Sequence, residues 1–160
     1  MARKEFEEIL KLWIDQIEGE AIQHVISRYF YSMDSRNFKL LKTCFTQNAK
    51  AEYDGGRKVF LGRDSIVKGL RGIKRFKYSH HLIGNMMVEI EGVVAKTDTY
   101  VVAFLLLDKK NTPARIIVRG LRYLDNLSKT KEGWQINHRI HIPLWQYELD
   151  AVKPEFMLSK

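Results

Sequence analysis

One cysteine stands in the whole chain, Cys44, so no disulfide can close within it. Cys44 lies in the apolar run Leu40-Leu41-Lys42-Thr43-Cys44-Phe45, where a thiol packs as a small hydrophobe more readily than it attacks. Long apolar runs are missing as well. The longest, Val101 to Leu107, is far short of a membrane span and reads as a buried strand. The first residues, Met-Ala-Arg-Lys-Glu-Phe-Glu-Glu, carry charge where a secretory signal peptide carries apolar residues. With the lone thiol, this gives a cytoplasmic location as the expectation. There is no internal repeat, linker or low-complexity segment. Zinc-finger spacing, an aromatic-rich RNA-binding signature and a helix-turn-helix pattern are absent too. Their absence matters because the chain is basic, with a net charge of +8. The basic residues are dispersed, densest at Arg71, Lys74, Arg75 and Lys77. They read as a solvated surface with some attraction for anionic substrates, and not as a nucleic-acid interface. The histidines show no compact spacing joined to carboxylates, so no metal is expected.

What is present suits one domain over 1–160. The chain is 160 residues long, 45% hydrophobic and 29% charged, which is enough to bury a core. Apolar residues recur at helical spacing at Phe6, Ile9, Leu10, Trp13, Ile14 and Ile17, and again at Ile22, Val25, Ile26, Tyr29, Phe30 and Met33. Gly19 between the two sets predicts a bend or short break in a helix spanning 1–34. Residues 37–75 read as two short helices and a hairpin. The first helix spans about 37–45, the strands are 49–53 and 58–61 around Asp54-Gly55-Gly56, and the second helix is capped by Asp64-Ser65 and runs to about Lys74. Four long β-rich segments follow, at about 79–90, 93–107, 114–125 and 133–147, with hairpin-length connections. An antiparallel meander with helices on one face gives an α+β fold, ending in a tail at 148–160.

Alternation assigns the strand faces. It places Gln135, Asn137, Arg139 and His141 opposite Trp134, Ile136, His138, Ile140 and Ile142. In 93–107 both faces are apolar: Val101, Ala103 and Leu105 on one, Val102, Phe104 and Leu106 on the other. Three helices can cover only one such face, so the other is expected to pack against another copy of the chain.

Several strings then become recognisable: Ile26-Ser27-Arg28-Tyr29-Phe30-Tyr31-Ser32-Met33-Asp34, Leu41 to Ala49, Ser79-His80-His81-Leu82-Ile83-Gly84-Asn85, and Gly133-Trp134 with Arg139. Together they resemble the SnoaL-like branch of the nuclear-transport-factor-2-like superfamily, over nearly the whole chain. The pattern is most similar to scytalone dehydratase, bile-acid 7α-dehydratase and hexachlorocyclohexane dehydrochlorinase. The resemblance implies a cone of curved sheet closed by helices, elimination without a cofactor or isomerisation by the same base, and a small hydrophobic substrate such as a hydroxy-carbonyl, polyketide-like or steroid-like molecule. It also implies a homo-oligomer, a trimer in preference to a dimer. Carried over, the catalytic carboxylate falls on Asp34, the histidine on His81 (four residues before Asn85), the tyrosine on Tyr29 and the basic residue on Arg139. The dehydrochlorinase has lysine where Tyr29 stands, and the bile-acid enzyme places its arginine further along, so substrate identity does not transfer.

The chemistry of these residues is coherent. A neutral imidazole removes a proton next to a carbonyl when a carboxylate fixes its tautomer and steadies the imidazolium that forms. Asp34 near a helix C-terminus is disfavoured by the macrodipole by about 0.3–1 kcal/mol, which a charged histidine would relieve. Which histidine is a sharper question. Alternation puts His80, not His81, with Leu82, Met86, Val88 and Ile90. The resemblance selects His81, and a β-bulge near Gly84 would reconcile the two. Tyr29 and Asp34, five apart, lie about 140° around a helix and converge only if its end unwinds or Tyr29 reaches across the pocket. Phe30, Asn85, Phe104, His141 and Trp145 are the candidate substrate-binding residues. The alternative is a non-catalytic ligand-binding cone, or a structural subunit such as the small subunit of a ring-hydroxylating dioxygenase. A filled cone would favour that reading.

Overall fold

The computed structural model describes residues 2–108 and 113–151. Most of the connection expected at Lys109 to Pro113, and most of the tail, lie outside the described residues. Helix α1, Ala2–Asp34, passes through Gly19 without a break. A glycine inside a helix costs only about 1 kcal/mol against alanine, and the neighbouring Glu18, Glu20 and Ala21 are good helix formers. Only the second apolar stripe packs. Ile22, Val25, Ile26, Tyr29, Phe30 and Met33 are buried, while Phe6, Trp13 and Ile17 are exposed.

Helix α2, Phe38–Thr43, is capped by the Asn37 side chain, which accepts the Leu40 N–H. Strands β1, Phe45–Tyr53, and β2, Lys58–Leu61, form the expected hairpin. Helix α3, Arg63–Leu70, starts two residues ahead of expectation, with Gly62 in the cap position. Asp64 sits inside its first turn and pairs with Lys42 at 2.6 Å. A 3₁₀ turn, Arg71–Arg75, completes this layer.

Strands β3, Tyr78–Glu91, β4, Val94–Leu107, β5, Arg115–Thr130, and β6, Gly133–Asp150, form the antiparallel meander. Strand β5 runs five residues beyond its expected end, leaving a tight turn at Lys131-Glu132. The β1–β2 hairpin joins the meander through a parallel β1–β6 pairing, so one sheet of order β2-β1-β6-β5-β4-β3 results. Helix α1 lies against β3 and β6 and covers the concave face. This is an α+β fold with one curved sheet and N-terminal helices.

Three register shifts within the meander set which of its side chains face inward. In β3 the pairing slips between Ile83 and Met86, one extra residue against β4. In β6 an extra residue sits at Asn137 and another at Leu144. Because side chains alternate with period two, each extra residue carries the following run to the other face. Past Asn137, Arg139 and His141 therefore join Trp134 and Ile136 on the buried face, which strict alternation denies. Strand β4 has no such slip. Its Val101, Ala103 and Leu105 are buried, and Phe104 is exposed on the convex side.

Candidate active site

The C-terminus of α1 is built to hold one carboxylate. The Arg36 N–H reaches the Met33 carbonyl and the Asn37 N–H reaches the Ser32 carbonyl, a Schellman closure. The left-handed position, Arg36 at φ 59°, usually holds glycine. Arginine is useful there because its guanidinium donates to the carbonyls of Met33, Asp34 and Phe76 and to the Ser79 hydroxyl. One side chain thus ties the helix end to the start of β3 and puts positive charge where the helix dipole is negative.

Asp34, the last helical residue, receives what β3 presents. The Ser79 hydroxyl donates to Oδ1 at 2.7 Å, the His81 N–H to Oδ2 at 2.9 Å, and His81 Nδ1 lies 2.6 Å from Oδ1. Burial pushes the Asp34 pKa up, but the bonds from the His81 ring, Ser79 and the His81 amide, with the attraction of the imidazole, hold it below the ordinary carboxylate value. The His81 side chain is only 6% exposed and its ring stacks obliquely on Phe30, centroids 5.3 Å apart. With Nδ1 committed to Asp34, Nε2 is the nitrogen left for a substrate.

His81 lines a cavity of about 190 Å³ inside the cone. A cavity of about 150 Å³ admits benzene, so this one has room for a ring of about that size. Tyr29, Tyr53, Tyr123, Arg119 and His141 line it with Ala103, Leu105 and Leu121. Phe60 closes one wall against Gly69, where a Cβ would come within 2.3 Å of the ring. The Tyr29 and Tyr53 hydroxyls are 2.9 Å apart, one donating to the other. Burial raises the pKa of both, with the neighbouring Arg139 charge acting in the opposite direction. His141 accepts the Asp54 N–H at Nδ1, 3.2 Å, so its neutral form carries a proton on Nε2. Burial, reinforced by Arg139 and Arg119 against the opposing Asp54, pushes the His141 pKa down to about 4.

Below the tyrosines lies a second ion pair. Arg139 donates Nε and Nη2 to the two oxygens of Asp125, both at 2.6 Å, and both side chains are fully buried. The guanidinium carbon sits 3.9 Å from the Tyr29 ring centroid and 4.8 Å from that of Tyr123. Among the described residues, no three His, Cys, Asp or Glu side chains gather as a metal site needs.

A family model described as the SnoaL-like domain matches residues 17–140. The chain belongs to the SnoaL-like family. Its fold is that of the nuclear-transport-factor-2-like superfamily. A scytalone dehydratase-like protein of Novosphingobium aromaticivorans superposes with a TM-score of 0.72 at 22% identity, over 88% of this chain and 91% of that one. Hexachlorocyclohexane dehydrochlorinase LinA-type3 of Novosphingobium barchaimii LL02 gives 0.75 at 16% identity, over 88% and 99%. Uncharacterized protein Rv2910c of Mycobacterium tuberculosis is 25% identical over 126 residues, 78% of this chain and 84% of its own.

Within this SnoaL-like cone the expected residues separate into three groups. Asp34 and His81 meet, and Tyr29 and His141 line the same cavity. The helix end does not unwind to bring Tyr29 to Asp34; Tyr29 reaches Tyr53 while Asp34 stays behind His81. Phe30 and Arg139 stand one layer back: Phe30 supports the His81 ring, and Arg139 lies beneath Tyr29, sealed from the cavity. Asn85, Phe104 and Trp145 are outside it. Asn85 is exposed at the β3 register slip. Phe104 is on the convex side because β4 alternates strictly, and both of its faces are apolar enough to hide which is inner. Trp145 follows the extra residue Leu144, which turns it outward onto Gly120, where a Cβ would meet the indole at 2.1 Å. His80 faces out and is exposed. Sequence reasoning missed Tyr53, Tyr123 and Asp125. The signal for the last two was present: Tyr123 and Asp125, with Arg119, put polar groups on the β5 face that carries Ile117, Leu121 and Leu127.

Proposed function

We propose that this chain is a cofactor-free lyase of the dehydratase type, acting on a small, largely apolar hydroxy-carbonyl compound. The observation that carries the reading is His81 in the cavity wall, its Nδ1 held by Asp34 at 2.6 Å. Asp34 fixes the tautomer in which Nε2 carries the lone pair. Nε2 takes the proton from the carbon next to the carbonyl, and Asp34 stabilises the imidazolium that forms. The negative charge that develops on the carbonyl oxygen is met by the Tyr29–Tyr53 hydroxyl pair and by the Nε2–H of neutral His141. Arg139, behind Tyr29, favours charge on that hydroxyl without touching substrate. The imidazolium then gives its proton to the departing hydroxyl: a C–H and a C–O bond break, a C=C bond forms, and water leaves. The burial of Tyr29, Tyr53 and His141 keeps these interactions strong.

The family and its dehydratase and dehydrochlorinase neighbours support a lyase over a structural subunit. So does the open cavity, since a purely structural cone has no need of one. A panel of β-hydroxy ketones tests the proposal, with the conjugated enone followed by its ultraviolet absorbance. The wild type is expected to form enone from at least one member, and His81→Ala to reduce that rate by about 10²–10⁴-fold. Equal rates for the two proteins would refute it.

A further inference from the structure

We propose that the substrate carries a carboxylate and that Arg119 is its anchor, facing the base across Ala103. This deepens the lyase reading, on which it rests only for where the reacting carbon lies. Across β3, β4 and β5, His81 pairs with Ala103 and Ala103 with Arg119. Partners in one cross-strand row share a face, and all three line the cavity. Two strand spacings separate the outer members, about 10 Å between Cα atoms. The residue between them has a side chain of one carbon, so the floor from base to guanidinium is open. A small molecule lying over Ala103 brings its proton-bearing carbon to His81 and its far end to Arg119.

Arg119 stands half-buried on the face of β5 that buries Ile117, Leu121, Tyr123 and Leu127. Its Nε donates to Gln146 Oε1 at 2.6 Å, which sets the plane of the guanidinium. Among the described residues it forms no ion pair, so both Nη groups remain available for a bidentate bond to a carboxylate. The surrounding charge has the same sign. Lys58, Arg75 and Arg119 line the cavity, and Asp54 is the carboxylate lining it. Asp54 is already held by Lys58 at 2.7 Å. Arg75, whose guanidinium lies 4.6 Å from the Phe76 ring centroid, continues the basic run toward Arg71 and Lys74. The cavity wall therefore carries excess positive charge, which draws anions in and rewards one that reaches Arg119.

The test compares trans-cinnamate with cinnamamide, two probes of nearly one shape that differ in charge. Dissociation constants are measured by calorimetry near neutral pH in low salt. The wild type is expected to bind the acid at least about tenfold more tightly than the amide. Arg119→Gln should abolish that preference while leaving amide affinity within about twofold, and Arg119→Lys should restore part of it. Added salt should narrow the preference in the wild type. His81→Ala should keep it, so failure of the lyase reading, seen in turnover, is separate from failure of the anchor, seen in binding. Equal wild-type affinities, no binding of either probe, a parallel loss of both in Arg119→Gln, or a preference that disappears with His81 would each overturn the proposal.

Discussion

Two carboxylates behind the walls of the same cone have opposite fates. Asp34, at the rim, is partly exposed and holds a histidine, whose proton can come and go. Asp125, at the floor, is fully buried and holds an arginine, whose proton cannot. Both make short bonds to their partners, 2.6 Å in each case. The contrast teaches that the pairing itself does not mark a reactive site. What marks it is a titratable partner with a free nitrogen turned to open space. The sealed pair instead fixes the layer of tyrosines above it.

Substitution should separate the two. Asp34→Asn keeps the size of the side chain and removes its charge. The expected result is a loss of about 10²–10⁴ in turnover with a melting temperature close to wild type. Asp125→Ala should do the reverse in order of cause. It strands the Arg139 charge in the core and costs about 3–5 kcal/mol, or a melting temperature lower by roughly 10 °C, with activity lost through the fold. The double change Asp125→Leu with Arg139→Met should recover much of that stability, which calorimetry reads directly. No such rescue is expected at the rim, because there the ion pair serves chemistry.

The smallest effect concerns pH. His141, buried above the sealed pair, has its pKa pushed down to about 4. Between the ordinary histidine value of about 6.5 and that point, the unfolded chain binds a proton that the folded chain refuses. Stability is therefore full above the upper limit and falls as pH drops through the window, by at most about 1.4 kcal/mol per pH unit. Asp34, with its pKa below the ordinary carboxylate value, adds a loss at lower pH, as the pH falls toward its folded value. Denaturant titrations from pH 7 to 4 should show a shallower slope for His141→Gln than for the wild type.

Much of this layout was legible in the sequence, and several of the failures share one cause. Helix α1 came from two apolar stripes, and β1–β2 from Asp54-Gly55-Gly56 between short apolar runs. The conflict between His80 and His81 was visible as a clash between alternation and family spacing. The slip between Ile83 and Met86 resolves it, since it lets His81 share a face with Met86, Val88 and Ile90. The same device misled elsewhere. Extra residues at Asn137 and Leu144 turned Arg139 inward beside Ile136 and Trp145 outward onto Gly120. An extra residue in a strand leaves no mark in composition, because it is decided by the partner strand. Asp125 and Tyr53 were missed for a related reason: each draws its meaning from a side chain far along the chain, Arg139 and Tyr29.

The central claim is that His81, held by Asp34, is a base acting on carbon. Exchange of solvent deuterium into the carbon next to the carbonyl of a ketone probe, followed by proton NMR, tests it without the natural substrate. Exchange with the wild type is expected well above the buffer rate, and exchange near the buffer rate with His81→Ala and Asp34→Asn. Exchange by both variants at the wild-type rate would contradict it.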